Sequence, residues 1–238
     1  MIRFENLSKA FPTPDGRKKV ILDNASLTIP SGVSVALLGR NGAGKSTILE
    51  LIGGRIPADS GHVDTTGTIS WPVGFGGSFH GDMTGAQNVR FIARIYGVDS
   101  DELVDFVDDF AEIGAHMDMP VRTYSQGMRS RLVFGVSMGI PFDTYLVDEV
   151  MAVGDAAFKQ RSQTVFRYRL RTAGAIVVSH SMMQLRKMCQ AGAVLDKGRI
   201  TYFDDLEEAI ARHRANMGLP LLKQHQRFDD DDEDEDDE

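Results

Sequence analysis

Apolar and polar positions alternate through residues 2–7 and again over roughly 20–29, where Leu22, Ala25, Leu27 and Ile29 supply one buried side, so both stretches read as strands. Phe11-Pro12-Thr13-Pro14-Asp15-Gly16 separates them with turn chemistry. The uninterrupted apolar run 33–38 predicts a strand buried on both faces, and 47–52 opens a helix. A break at 53–61 leads to short strands at 62–64 and 68–70, and then to a glycine-rich, hinge-like passage over 72–78. From about 85 to 140 the period becomes helical: Val89, Ile92, Ala93 and Tyr96 share one face, and Leu103, Val104, Phe106, Val107 and Phe110 share another, with Ser100 as the expected cap. Strands are predicted at 144–147 and 174–178, a basic-sided helix over 156–170 (Lys159, Arg161, Arg167, Arg169), a hairpin over 192–202 turning at Lys197-Gly198, and a last helix over 206–217. Strands alternating with helices indicate the α/β class.

At 238 residues the chain suffices for one substantial core with a smaller lobe. Residues 1–5 do not resemble a secretory leader, and the apolar runs fall far short of the roughly 20 residues a bilayer demands, so the expected compartment is the cytoplasm. The single cysteine, Cys189, fits a reducing compartment and reads as core or near-core. The formal charge of −8 is misleading, because Asp229 to Glu238 are all acidic and the remaining chain carries 24 acidic against 26 basic residues, about +2. The block reads as a disordered tail: a solvated terminus, a solubility tail or an electrostatic handle for a basic partner. A body so close to neutral gives little support to a nucleic-acid partner.

Gly39-Arg40-Asn41-Gly42-Ala43-Gly44-Lys45-Ser46-Thr47 satisfies G-x-x-x-x-G-K-[ST] at every fixed position, between a predicted strand and a predicted helix. A loop of this kind turns backbone N–H groups and a helix N-terminus onto phosphate oxygens. Lys45 then supplies a point charge between the β and γ phosphates, and Ser46 a hydroxyl for Mg²⁺. Asp148-Glu149 ends a strand where an α/β sheet presents its ligands, which suits Asp148 to the Mg²⁺ shell and Glu149 to polarising water. His180 ends the next strand, where it can sense the γ phosphate or serve as a capping or core histidine; no second histidine or cysteine stands at metal-ligand spacing. Phe11 can offer a face to a purine or simply pack. Tyr124-Ser125-Gln126-Gly127-Met128 is a further loop delivering a helix start, and Arg129 and Arg131 behind it face solvent or phosphate.

These segments, with Val153-Gly154-Asp155, occur in the order and approximate spacing of an ATP-binding-cassette (ABC) nucleotide-binding subunit, and the resemblance spans Met1 to about Tyr202. Residues 69–74, 79–85, 124–131 and 148–155 more narrowly resemble the ATPase subunits of bacterial capsular-polysaccharide exporters. The resemblance implies a P-loop NTPase fold with an ABC-type core, an antiparallel β subdomain and an inserted helical subdomain. The ATPase domain would occupy about 1–220, the insert about 82–135, and the acidic tail 221–238. It also implies a homodimer with two ATP molecules between head-to-tail subunits, each with Mg²⁺. Lys45, with Gly39, Asn41, Gly42, Ala43, Gly44, Ser46 and Thr47, would hold one ATP, while Ser125, Gln126, Gly127 and Met128 act on the partner's. Glu149 would be the principal base, His180 the switch histidine and Asp155 a transmitter of closure. A glutamine common at the family's hinge is replaced here by Gly74, and the carbohydrate-binding domain of some O-antigen relatives is not expected in a chain of this length. The expected setting is the cytoplasmic face of the inner membrane, peripheral through a separate multispanning permease that docks near Phe79, His80 and the Val89 to Tyr96 helix. The assembled transporter would handle a lipid-linked polysaccharide, with no nucleic acid involved; the alternative is a nucleotide switch uncoupled from transport.

Overall fold

The computed structural model describes residues 1–73, 79–148 and 155–220. The chain divides into two compact units, one formed by Met1–Thr66 with the segment from Ala175 onward, the other by Gly67–Gly174.

In the first unit, strands β1 (Ile2–Pro12) and β2 (Lys18–Ile29) pair antiparallel, and β1 also pairs antiparallel with β4 (Ser60–Thr65). β1 runs five residues past the end that its alternation predicts. The register slips between Phe4 and Leu7, with Asn6 at φ 48°, so Phe4 and Leu7 both reach the core although three apart. Strand β3 (Ser34–Gly39) runs parallel to both β7 (Gly174–Val178) and β8 (Ala191–Asp196). Val35 to Leu38 and Ala175 to Val178 are all buried, as continuous apolar runs covered on both faces should be. β8 turns through Lys197-Gly198 into antiparallel β9 (Arg199–Phe203), both turn residues having positive φ, which is the two-residue hairpin expected. Helices α1 (Lys45–Ile52), α6 (Met182–Met188) and α7 (Leu206–Asn216) complete this unit. α7 lies so close to β8 that a Cβ on Gly192 would come within 2.3 Å of the Ala209 Cβ, which requires glycine there. Cys189 is buried, and burial pushes its thiol up to about 12, so it is inert packing at neutral pH.

In the second unit, β5 (Ile69–Pro72) and β6 (Thr144–Asp148) pair parallel. Asp143 fastens them, accepting from the Thr68 N–H (2.7 Å) and hydroxyl (2.9 Å), and these bonds hold its carboxyl below the usual range. The helices are α2 (Gly85–Tyr96), α3 (Ser100–Ala111), α4 (Gln126–Gly139) and α5 (Ala156–Arg169). α4 ends at Gly139, as the helical period to about 140 predicts. α2 opens on a reciprocal Thr84–Gln87 capping box. α3 is capped by Asp99 rather than Ser100, because the Asp99 carboxylate accepts the N–H groups of both Asp101 and Glu102. Phe110 packs between Phe134 (5.7 Å between centroids) and Phe158 (5.1 Å), joining α3, α4 and α5.

Of the basic side predicted for α5, Lys159 and Arg167 are exposed, but Arg161 and Arg169 are engaged by other helices. Arg161 bridges Asp109 and Glu112 at the end of α3, and Arg169 donates to the carbonyls of Met138 (2.7 Å) and Gly139 (3.1 Å) at the end of α4. These cations tie helices together and satisfy helix-terminal carbonyls.

Candidate nucleotide site

The phosphate loop follows β3 directly, and its geometry explains its glycines. Gly44, the residue before α1, has φ 111°, and a Cβ there would lie 2.5 Å from Ile21 Cγ2; Gly42 has φ 75°. The cap residue of α1 therefore brings no side chain to its first-turn N–H groups, which the loop leaves for an anion. The Lys45 ammonium donates to the carbonyl oxygens of Gly39 (2.8 Å) and Arg40 (3.3 Å), folded back along its own loop. Ala43 N–H closes the turn onto Arg40 O at 3.0 Å, while Asn41 and Ser46 are exposed and Thr47 half-buried.

Gly39, Arg40, Asn41, Lys45 and His180 line one cavity of about 410 Å³. His180 is exposed at the end of β7, ahead of Ser181, which caps α6 by accepting Gln184 N–H at 3.3 Å. Two residues of this wall, His213 and Met217, come from α7 and its end, and reading the chain by motif missed both. The signal that could have found His213 is a polar residue on an otherwise apolar helix face. Phe11, also in this unit, is 38% exposed on β1 with the Lys9 ammonium 5.2 Å from its ring centre, so it is an open aromatic face and not core packing.

The other expected residues belong to the second unit. Asp148 is half-buried at the C-terminal end of β6. Ser125 caps α4, accepting Met128 N–H at 3.2 Å, and Ser125, Gln126 and Gly127 are exposed while Met128 is half-buried. Tyr124 anchors this loop by donating to the His116 carbonyl. Asp155 caps α5 by accepting Phe158 N–H (2.9 Å) and pairs with Arg131 Nη2 of α4 (2.6 Å); the backbone bond first, and Arg131 with it, lower its carboxyl pKa. Arg131 also lies 4.7 Å over the Phe158 ring. It is a link between α4 and the start of α5, not a phosphate contact. Glu149, Val153-Gly154 and the hinge substitution at Gly74 lie outside the described residues, as does the acidic tail.

Two residues expected near the permease are core. Phe79 is 8% exposed and Val89 fully buried, while Asn88 holds the preceding loop, accepting His80 N–H (2.8 Å) and donating to the carbonyls of His80, Met83 and Thr84. The outer face of α2 is where apolar groups meet solvent: Phe91 is 50%, Ile95 61% and Tyr96 40% exposed. Tyr96 packs its ring against Trp71 and Phe142.

The loop suits a nucleoside triphosphate. A Cβ at Gly44 would fill the cradle, a cation sits within it, and a hydroxyl at the start of α1 is a hard oxygen donor of the kind Mg²⁺ takes, as is the Asp148 carboxylate. Among the described residues no helix is long and apolar enough to cross a membrane.

Residues 22–152 match the family model described as ABC transporter. The chain is 46% identical to the polysialic acid transport ATP-binding protein KpsT of Escherichia coli over 224 residues, covering 93% of this chain and all of that protein. It is 41% identical to the capsule polysaccharide export ATP-binding protein CtrD of Neisseria meningitidis over 209 residues, covering 88% and 96% of the two chains. Among solved structures, the dimeric post-hydrolysis state of the ATP-binding cassette MJ0796 bound to ADP and Pi superposes with a TM-score of 0.69 at 18% identity, covering 87% of this chain and 99% of that one. With a phosphate loop built for a triphosphate and a family match over more than half its length, the chain belongs to the ABC transporter family.

Proposed function

We propose that this chain is the ATP-binding and ATP-hydrolysing subunit of an exporter of capsular or related lipid-linked polysaccharide. It would work as a homodimer on the cytoplasmic face of the bacterial inner membrane, held there by a separate multispanning permease. The observation that carries this reading is the 46% identity to a polysialic acid transport ATP-binding protein, sustained across 93% of the chain.

The chemistry follows from the loop. The Lys45 ammonium donates to the Gly39 and Arg40 carbonyls. ATP draws it onto the β and γ phosphates, exchanging neutral acceptors for anionic ones, while the loop N–H groups and the start of α1 take the remaining phosphate charge. Ser46 would offer Mg²⁺ a hydroxyl and Asp148 a carboxylate, and the ion would supply charge neutralisation to the triphosphate. Glu149 accepts the proton of the attacking water as the bond from the γ phosphorus to the ADP oxygen breaks. His180 donates to a γ-phosphate oxygen, and Phe11 stacks on the adenine.

In a head-to-tail pair, Ser125 and the Gly127 backbone of one subunit meet the ATP of the other. Ser125→Arg puts bulk and a misplaced cation there and removes the cap of α4, a loss of about 1 kcal/mol that leaves the monomer folded. Sedimentation with ATP is expected to show at least about a tenfold loss of dimer affinity; unchanged ATP-dependent dimerisation of the folded variant would remove the Ser125 to Met128 loop from this role.

The permease would dock on the exposed Phe91, Ile95 and Tyr96 face of α2, part of the region expected around Phe79, His80 and the Val89 to Tyr96 helix, with the buried Phe79 and Val89 behind it. The double change Phe91→Asp with Ile95→Asp is expected to leave ATP turnover within about twofold and to cut export at least about tenfold. Parental export by a double variant that folds normally would move the docking face elsewhere.

A further inference from the structure

Helix α7 turns Leu206, Ala209 and Ile210 inward, all at most 6% exposed. The next position on that face is His213, itself only 6% exposed. An apolar side chain would complete this face at lower cost than an imidazole, because burying a polar ring is unfavourable unless something interacts with it. His213 is also placed where a phosphate-binding site operates, in the wall of the cavity that holds Arg40, Lys45 and His180.

We propose that His213 is a proton-linked positioning residue of the nucleotide site: uncharged when the cavity is empty, it takes up a proton when polyphosphate enters beside Lys45, and so couples the C-terminal helix to nucleotide occupancy. The inference rests on ATP binding at the phosphate loop, and extends it to an element that the loop's sequence does not include.

The groups around the ring support this. The charges of Lys45 on α1 and Asp196 at the end of β8 act on it, and Arg40, from the loop after β3, and His180, after the end of β7, line the same cavity. On α7 itself, Arg212 lies over the Phe203 ring and Arg214 donates to the Pro220 carbonyl. Burial first, and then the Lys45 charge, push the His213 pKa below its ordinary value, with Asp196 opposing. Polyphosphate neutralises the Lys45 contribution and adds negative charge of its own, so it favours the imidazolium. Linkage is reciprocal: if nucleotide raises the proton affinity of His213, acid raises the affinity for nucleotide. The empty protein carries the matching cost. A depressed histidine binds fewer protons folded than unfolded, so its contribution to stability is complete above the ordinary histidine pKa and is lost as pH falls below it.

The test is a histidine-ring NMR titration of the full chain between about pH 5 and pH 8.5, with and without a saturating non-hydrolysable ATP analogue, the His213 resonance being assigned by its loss in His213→Gln or, if that variant does not fold, His213→Asn. The His213 midpoint is expected to move to higher pH on adding the analogue. Analogue affinity of the parent is expected to rise roughly three- to tenfold from about pH 8 to about pH 6, and His213→Gln to lose most of that rise. A His213 midpoint unmoved by an analogue that binds in a Lys45-dependent way overturns the inference and leaves ATP binding standing. An analogue that does not bind the parent overturns both.

Discussion

Lys45→Ala is expected to abolish productive ATP binding and to lower ATP turnover at least about a hundredfold. The variant loses the point charge that meets the β and γ phosphates, and it loses more than that. With the ammonium gone, the Gly39 and Arg40 carbonyls that it now covers remain as bare acceptor dipoles in a cavity meant for anions. The fold should not suffer, because Lys45 is half-exposed and α1 is secured by Ile48, Leu49, Leu51 and Ile52, all buried. Binding of a fluorescent ATP analogue and steady-state phosphate release, measured on the same preparation, check both halves. Parental values for both would remove Lys45 from the role assigned to it.

Glu149→Gln is expected to separate binding from chemistry. The amide keeps the shape of the side chain but cannot accept the proton of the attacking water, so turnover should fall about 10²- to 10⁴-fold while ATP affinity stays near the parental value. Because the dimer would open only after hydrolysis, ATP should accumulate a closed pair visible as a doubled mass by light scattering. Equal turnover in variant and parent would show that another group takes the proton.

The phosphate loop was legible because its requirements are local. A glycine at the strained position before α1, a lysine after it and a strand ahead of it are all set within nine residues. The Lys197-Gly198 hairpin was legible for the same reason. What escaped depends on partners distant in the chain. Arg131, Arg161 and Arg169 looked like exposed charge, yet each is engaged by carboxylates or carbonyls 20 or more positions away. On α2, Val89 and Tyr96 share a period but not a fate: one is core, while the other shows an open edge beside Phe91 and Ile95. The longer β1 was hidden by a slip in register that breaks the alternation of buried positions. His213 was hidden because no spacing links it to Lys45; the cavity they share exists only once α7 has packed on the strands.

The most direct measurement is polysaccharide flux into inverted inner-membrane vesicles that contain the permease, with this chain added back as parent or as Lys45→Ala. The account predicts flux that requires both ATP and the parental chain, stops with Lys45→Ala, and is accompanied by phosphate release. Flux that proceeds equally with Lys45→Ala, or phosphate release by the parental chain with no movement of polysaccharide through a competent permease, would contradict it.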